Sequence, residues 1–176
     1  MNSPTPPSPW QHPGMTGSRT DDLAAEVASR ATDLGWSVGA AESLTSGAVA
    51  SALGAAPGAS AWFRGGVVAY ASEVKFDVLD VPEGPVVSRE AALAMARGAV
   101  EQLGADVVVS VTGAGGPQGQ DGEEPGTVWF GLVWPDGEEA RKLHLPGDPA
   151  EVVSRATSHA LDLLRMALEA GSRTRA

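Results

Sequence analysis

The chain contains no cysteine among its 176 residues and only three histidines. Without cysteine, a disulfide framework, a thiolate zinc site and a cysteine nucleophile are all excluded. The histidines His12, His144 and His159 are widely separated, and none of them belongs to a zinc-binding motif such as HExxH. We therefore expect no metal site, and separately we expect no cofactor.

Positive charge is also scarce, because 12 lysines and arginines face 22 aspartates and glutamates. The resulting net charge of −10 repels phosphate backbones, so we expect no direct binding of nucleic acid. A small anionic ligand would have to be held by a local nest of backbone N–H groups. Apolar runs of membrane length and a secretory signal are missing as well, which predicts a cytoplasmic protein without a membrane anchor.

The first twenty residues contain five prolines, which prevent a regular helix or a strand ladder. We interpret residues 1–20 as a disordered tail and residues 172–176 as a second, short tail. Residues 21–171 between them form one predicted domain, which is long enough to bury a sizeable core.

Segments with strand and helix patterns alternate along this domain. The patterns predict helices that begin near Asp21, Ser43, Ser72, Ser88 and Pro149, and strands in WSVGAAE, GGVVAYA, ADVVVSVTG, TVWFGLVW and ARKLHL. Alternating strands and helices followed by a hairpin are typical of a three-layer α/β/α sandwich with a mixed sheet. The fold class is therefore predicted to be α/β.

The stretch AESLTSGAVA, residues 41–50, places several oxygen-bearing side chains where a strand gives way to a helix. The first N–H groups of a helix stabilise negative charge, whether on a phosphate or on an oxyanion. Ser43 is therefore a candidate nucleophile beside an oxyanion site. Its alternative role is that of a simple N-cap, for which serine is a favoured residue.

A hydroxyl nucleophile needs a base, and the chain offers no suitable histidine and only two lysines. Lys75 follows a strand and lies in the first turn of a predicted helix capped by Ser72, where the helix dipole and burial both lower its pKa. A neutral amine of this kind can accept a proton. Tyr70 could relay a proton or orient the amine. The alternatives are a solvated lysine and a core aromatic residue with a hydrated hydroxyl.

Two other motif matches are weak. SEVK matches SxxK, which would make Ser72 the nucleophile, but the SDN and KTG elements that accompany this motif are absent. The loop GAGGPQGQDG is not GxGxxG and leads into a strand, so it is no dinucleotide fingerprint. Structureless loops of this length are uncommon inside compact domains, and we expect this one to be functional.

Four segments together resemble the CinA C-terminal domain family, whose members include nicotinamide mononucleotide deamidases. AESLTSG is similar to the AES-x-T-x-G element of the family, and SAWFRGGVVAYASEVK is similar to a second element that ends in E-x-K. VSVTGAGGPQG is similar to its glycine-rich element, and PGTVWFGL to the strand that follows. The resemblance extends from about Asp21 to about Leu164.

The resemblance implies a three-layer α/β fold and hydrolysis of nicotinamide mononucleotide to nicotinate mononucleotide and ammonia without a metal. It implies that Ser43 is the nucleophile and that Lys75 is the base, assisted by Tyr70. By analogy with the family a homo-oligomer is expected. We expect ribose and phosphate to contact the hydroxyls and main-chain amides of two segments: Thr45, Ser46 and Gly47, and Thr112, Gly113, Ala114, Gly115 and Gly116.

The chain also departs from the family pattern. Ser46 replaces a glycine, Glu123 and Glu124 lie where the family often has a lysine, and Pro149 and Val153 occupy positions where the family favours arginine. Two further hypotheses stay open. One is a nucleotide-binding or partner-binding module without activity, related to competence and DNA-damage-inducible proteins. The other is an amidase for a different pyridine or purine derivative.

Overall fold

The computed structural model describes residues 18–174. Its elements, in chain order, are α1 (Arg19–Leu34), β1 (Val38–Glu42), α2 (Ala48–Ala55), α3 (Ala59–Trp62), β2 (Phe63–Val68), α4 (Ser72–Leu79), α5 (Arg89–Leu103), β3 (Val107–Gly113), β4 (Thr127–Trp134), β5 (Gly137–His144) and α6 (Pro149–Thr174). The helical region therefore extends slightly beyond the predicted domain of residues 21–171 at both ends. Residues 1–17 of the predicted tail lie outside the described residues.

The five strands form one sheet in the order β2-β1-β3-β4-β5. β1 pairs in parallel with both β2 and β3, whereas β3 with β4 and β4 with β5 are antiparallel. The predicted mixed sheet is therefore confirmed. Because β2, β1 and β3 are parallel neighbours, their carboxyl ends meet at one edge, which is where open α/β sheets bind ligands.

Helices cover both faces of the sheet. Helices α1, α2, α3 and α6 pack on one face, against core residues that include Val109 and Phe130. Helices α4 and α5 pack on the other face, where Val108 and Met95 belong to a second core. The neighbours Val108 and Val109 thus face opposite layers, as expected for a strand buried on both sides, and the three-layer prediction is confirmed. Within residues 18–174, no helix combines the length and the apolar character needed to cross a bilayer.

Several helix ends form as the sequence predicts. The hydroxyl of Ser88 accepts a hydrogen bond from the amide of Ala91 at the start of α5. At the start of α6, Asp148 and Glu151 form a reciprocal capping box, with amide-to-carboxylate distances of 2.9 Å and 3.0 Å. Gly35 ends α1 in the left-handed region, with φ of 65°, a conformation that glycine adopts without steric cost.

One predicted helix start and one predicted helix cap, both at serines, are wrong, whereas the predicted start of α4 near Ser72 is confirmed. Helix α2 begins at Ala48 instead of Ser43, and residues 43–47 form turns. At α4 the N-cap is Ala71, and Ser72 is already the first helical residue. The simple N-cap role of Ser43 is therefore excluded, and Ser72 is not the cap of its helix.

Candidate active site

A cavity of about 510 Å³ opens at the edge of the sheet where the parallel strands end. Its lining combines the residues that follow these strands with the glycine-rich loop and two residues of α6: Ser43, Leu44, Tyr70, Val86, Thr112 to Gln120, Pro149 and Val153. Segments that are far apart in the chain therefore converge on one cleft, which makes this cavity the candidate site.

Ser43 lies directly after β1, and its amide donates a hydrogen bond to the carbonyl of Val111 on β3 at 2.9 Å. The residue is largely buried but lines the cavity. Its hydroxyl forms no hydrogen bond within residues 18–174. A serine hydroxyl fixed at a strand end and unpaired beside a cavity is available to react with a ligand.

Lys75 is enclosed by the protein, with only 1% of its surface exposed. Its Nζ donates hydrogen bonds to the carbonyl oxygens of Ala69 at 2.8 Å and Tyr70 at 3.0 Å. A neutral amine has two hydrogens and one lone pair, so these two carbonyls satisfy both hydrogens and leave the lone pair available. The contacts therefore fit an uncharged lysine that can accept a proton.

A short series of hydrogen bonds relates Lys75 to Ser43. The amide of Ala69, whose carbonyl holds the amine, donates to the carbonyl of Glu42 at 2.8 Å, and Glu42 immediately precedes Ser43. Ser43 and Ala69 thus follow neighbouring parallel strands, which are spaced about 4.8 Å apart. No hydrogen bond joins the Ser43 hydroxyl to the Lys75 amine in the described part of the chain. Catalytic hydrogen bonds often form only once substrate is bound.

Burial lowers the pKa of Lys75 from its ordinary value of 10.5, because the enclosed ammonium form loses its hydration. The carboxylates of Asp121 and Glu73 oppose this change, since each stabilises the ammonium form. The loss of hydration is the larger effect. The neutral amine is therefore populated at lower pH than it is in an exposed lysine.

Tyr70 is 69% exposed and is therefore not a core aromatic residue. Its main-chain carbonyl holds the Lys75 amine, while the residue itself lines the cavity. The ring is thus available to a ligand. The role of its hydroxyl in proton relay stays a prediction.

Glu42 is fully buried at the end of β1, and its carboxylate caps α2. It accepts hydrogen bonds from the amides of Gly47 at 3.0 Å, Val49 at 3.1 Å and Ala50 at 2.8 Å. The N-cap residue Gly47 has no side chain that could do this. The carboxylate next to Ser43 therefore stabilises the helix dipole and satisfies amides that would otherwise lack acceptors.

The predicted oxyanion site at the start of this helix is wrong, because Glu42 already occupies its donors. Residues 43–47 form turns instead, in which Ser46 and Ala48 donate to the carbonyls of Ser43 and Thr45. Within residues 18–174, the amides of Leu44 and Thr45 donate to no acceptor. These two amides are the free backbone donors that directly follow Ser43.

We expect Glu42→Gln to lower the free energy of unfolding by about 1.5–3 kcal/mol, because the substitution replaces charge-assisted hydrogen bonds and turns an NH₂ group toward backbone donors. Urea denaturation measures this change. Glu101→Gln, at an exposed position on α5, is the matched control and should change stability by less than about 0.5 kcal/mol. Equal stability of the two variants would contradict the capping role.

The glycine-rich loop is anchored by Asp121, which the sequence patterns did not single out. Its carboxylate accepts hydrogen bonds from the amides of Val86 at 2.8 Å and Val87 at 2.9 Å. From the other side, the hydroxyl of Thr112 donates to the carbonyl of Val86 at 2.7 Å. These bonds hold the segment before α5 in place as a wall of the cavity. The DG dipeptide signals a turn but gives no sign of a partner 35 residues away in the chain.

The predicted binding residues fall into two groups. One group lines the cavity: Thr112, Gly113, Ala114, Gly115 and Gly116. The other group is absent from the described lining. Thr45 is buried, Ser46 is exposed, and Gly47 is the N-cap residue of α2. Contact of either group with a substrate stays a prediction.

The described residues contain no group of three histidine, aspartate or glutamate side chains placed to hold a metal ion. Fold and site together define an α/β protein that combines an enclosed lysine with an unpaired serine at the carboxyl edge of its parallel strands.

Residues 20–168 match the family model described as the CinA C-terminal domain. A CinA-like protein of Frankia casuarinae is 41% identical over 160 residues, which cover 88% of this chain and 37% of the relative. A CinA-like protein of Mycobacterium marinum is 39% identical over 159 residues, which cover 86% and 36%. The chain belongs to the CinA C-terminal domain family, and it spans little more than a third of the length of these curated relatives.

Solved structures show the same fold. The competence damage-inducible protein A of Klebsiella pneumoniae has a TM-score of 0.83 and 35% identity, covering 86% of this chain and 98% of that protein. A competence-damaged protein (CinA) superfamily protein of Escherichia coli has a TM-score of 0.81 and 32% identity, covering 87% and 99%. The predicted family and fold class are therefore confirmed.

Proposed function

We propose that the chain is an amidohydrolase that releases ammonia from the carboxamide of a nicotinamide nucleotide or nucleoside. The observation that carries this proposal is the enclosed Lys75 amine, which two backbone carbonyls hold at the end of β2 beside the strand end that bears Ser43. Burying an amine is costly, and within residues 18–174 this one forms no ion pair. A role in proton transfer explains why the amine is there.

In the proposed reaction, the Ser43 hydroxyl attacks the carboxamide carbon while the neutral Lys75 amine accepts its proton. A tetrahedral intermediate forms, and its C–N bond breaks as Lys75 returns the proton to the departing ammonia. Water then attacks the carbonyl carbon of the acyl-serine ester while the amine accepts its proton, and the bond between this carbon and the Ser43 oxygen breaks as the amine returns the proton to that oxygen. The products are ammonia and the pyridine carboxylate, and Ser43 and Lys75 end in their starting forms.

The oxyanion of the tetrahedral intermediate needs donors that are free before substrate arrives. We assign this role to the amides of Leu44 and Thr45, because they directly follow Ser43 and have no acceptor within residues 18–174. The neighbouring amides of α2 cannot contribute, since Glu42 occupies them. The short turn between β1 and α2 would thus supply both the nucleophile and its oxyanion site.

Ammonia release tests this proposal. Purified protein is incubated with nicotinamide mononucleotide and, separately, with nicotinamide riboside, and ammonia and the carboxylate product are quantified. We expect turnover of at least one of the two without added metal. No ammonia from either would contradict the proposal.

Activity should rise with pH through the pKa of Lys75, because only the neutral amine accepts the serine proton. We expect Asp121→Asn to move this rising limb to lower pH, since removal of a carboxylate that stabilises the ammonium form lowers the pKa of Lys75 further. The rate against pH, measured for both proteins, checks the direction. Glu73→Gln should give a smaller shift in the same direction. A limb that moves to higher pH in Asp121→Asn would contradict the assignment of Lys75 as the base.

A second candidate function is ligand binding without turnover. The observation that favours it is the missing hydrogen bond between the Ser43 hydroxyl and the Lys75 amine in the described chain. A binding module would be stabilised against thermal unfolding by the ligand and would release no ammonia. Its stabilisation by ligand would also survive Lys75→Met.

A further inference from the structure

We infer that strand β5 is a surface for self-association, at which the β5 strands of two copies of this chain pair antiparallel about a two-fold axis through Ala140. The inference goes beyond the proposed function and does not depend on it. It follows from the position of β5 at the edge of the sheet, from the direction of its backbone groups and from the order of its charged side chains.

Strand β5 has a hydrogen-bonding neighbour on one side only, because it ends the sheet order β2-β1-β3-β4-β5. The amide of Leu145, directly after β5, donates to the carbonyl of Gly126, directly before β4, at 2.8 Å. Along an antiparallel strand the backbone groups of successive residues point alternately to the two sides, and the register of β5 with β4 is continuous. The N–H and C=O groups of Glu138, Ala140 and Lys142 therefore point to the open edge, where they can pair with another strand.

The charged residues of β5 have opposite signs on the two sides of Ala140. The sequence from residue 138 to residue 142 is EEARK, in which two acidic residues mirror two basic ones. In an antiparallel pair centred on Ala140, Glu139 lies opposite Arg141 of the second copy, and Glu138 lies opposite Lys142. Each charge then faces one of opposite sign, which stabilises neighbouring strands. The segment is also neutral as a whole, whereas the net charge of −10 repels a second copy.

Backbone direction and charge together select this register. The nearest alternatives that keep the outward backbone groups paired move the axis by one residue, to Glu139 or to Arg141. Either alternative places two like charges directly opposite each other, which is destabilising. Charged side chains usually discourage the pairing of edge strands. Here they oppose the shifted registers and favour the one centred on Ala140.

An apolar groove lies beside the inferred axis. Its cavity of about 370 Å³ is bordered by Glu139 and Arg141 of β5, and it is also lined by Leu132 and Trp134 of β4 and by Met166 of α6. Met166 is 39% exposed. Because Glu139 and Arg141 flank the axis, pairing brings the groove of the second copy next to this one. Association would therefore shield apolar surface of both copies from water.

An engineered cysteine tests the position of the axis, because the chain has no cysteine of its own. Opposite residues in a hydrogen-bonded antiparallel pair have Cα atoms about 5.5 Å apart, a separation that a disulfide bridges. We expect Ala140→Cys to form a disulfide-linked dimer under mild oxidation, measured by non-reducing gel electrophoresis. Glu138→Cys is the matched control on the same edge, because its two copies would lie about 14 Å apart, too far for a disulfide. If Ala140→Cys gives no more linked dimer than Glu138→Cys, the inference is overturned.

Exchange of charges tests the pairing itself, with the dissociation constant of the dimer measured by sedimentation velocity. We expect the unmodified chain to form a dimer. Glu139→Arg and Arg141→Glu should each raise its dissociation constant by at least about tenfold, because each places two pairs of like charges across the axis. The double variant with both substitutions restores opposite signs and should return the constant to within about threefold of the original.

Asp33→Arg is the control for the charge exchange, since it makes the same change of charge at an exposed position on α1. It should leave the dissociation constant within about threefold, and the melting temperature shows that each variant is folded. A chain that stays monomeric would overturn the inference. A dimer that the single variants do not weaken, or one that the double variant does not restore, would overturn it as well.

Discussion

Ser43→Ala should reduce ammonia release by at least about 1,000-fold, because it removes the oxygen that attacks the carboxamide carbon. The fold should remain intact, since residue 43 is fixed by the hydrogen bond from its backbone amide to the carbonyl of Val111, which alanine keeps. Steady-state kinetics measure the loss, and the melting temperature shows that the protein is folded. Full activity in Ser43→Ala would contradict the assignment of Ser43 as the nucleophile.

Ser72→Ala is the matched control for this substitution. Ser72 belongs to the SEVK match and is the rival nucleophile in the sequence, but the structure places it as the first residue of α4, and its hydroxyl forms no hydrogen bond within residues 18–174. We expect Ser72→Ala to retain activity within about twofold. A large loss of activity in Ser72→Ala, together with an active Ser43→Ala, would show that Ser72 and not Ser43 is the nucleophile.

Lys75→Met should reduce kcat by about 100-fold to 10,000-fold, the range that a positioned acid–base group contributes. Methionine keeps the length and the buried volume of the lysine stem but cannot accept a proton. The rising limb of the pH profile assigned to Lys75 should disappear together with the activity, which a purely structural defect would not produce. The rate against pH for the residual activity is therefore the informative measurement.

Lys142→Met provides the comparison, because these two residues are the only lysines in the chain. The Lys142 amine is exposed and pairs with Glu123, and exposed ion pairs contribute about 0–1 kcal/mol. We expect less than a threefold change in kcat, roughly the effect of about 0.6 kcal/mol. Similar losses in both lysine variants would contradict a specific role for the buried amine.

Elements with a local origin could be predicted from the sequence. The run ADVVVSVTG is apolar throughout because β3 is covered on both faces, and it forms a strand as predicted. Two helices are capped by Ser88 and by the pair Asp148 and Glu151. These capping hydrogen bonds join residues three positions apart in the sequence, so a local pattern can predict them. The hairpin of β4 and β5 likewise depends on neighbouring residues.

The start of α2 could not be predicted in the same way. The polar cluster after β1 favours Ser43 as a cap, whereas the actual cap is the carboxylate of Glu42, which reaches amides five to eight residues ahead. Local rules for helix starts describe bonds of two or three residues. The signal available in the sequence was a glutamate, Glu42, at the end of an apolar strand, followed five residues later by Gly47.

The sequence selected three candidate residues but not the contacts that hold them. Patterns and the family resemblance selected Ser43, Lys75 and Tyr70, and the structure places all three around the ends of β1 and β2. The contacts of the site were not predictable, since Lys75 is held by main-chain carbonyls and Asp121 contacts residues far away in the sequence. Such contacts depend on how the chain is folded and leave no pattern in neighbouring residues.

Covalent trapping tests the central claim most directly. The protein is mixed with nicotinamide riboside or the mononucleotide, quenched in acid during turnover, digested with trypsin and analysed by mass spectrometry. Cleavage after Arg30, Arg64 and Lys75 places Ser43 in the peptide 31–64 and Ser72 in the peptide 65–75. We predict that the pyridine acyl group is found on Ser43. Acylation of the 65–75 peptide, or ammonia release with no acylated peptide at any quench time, would contradict the account.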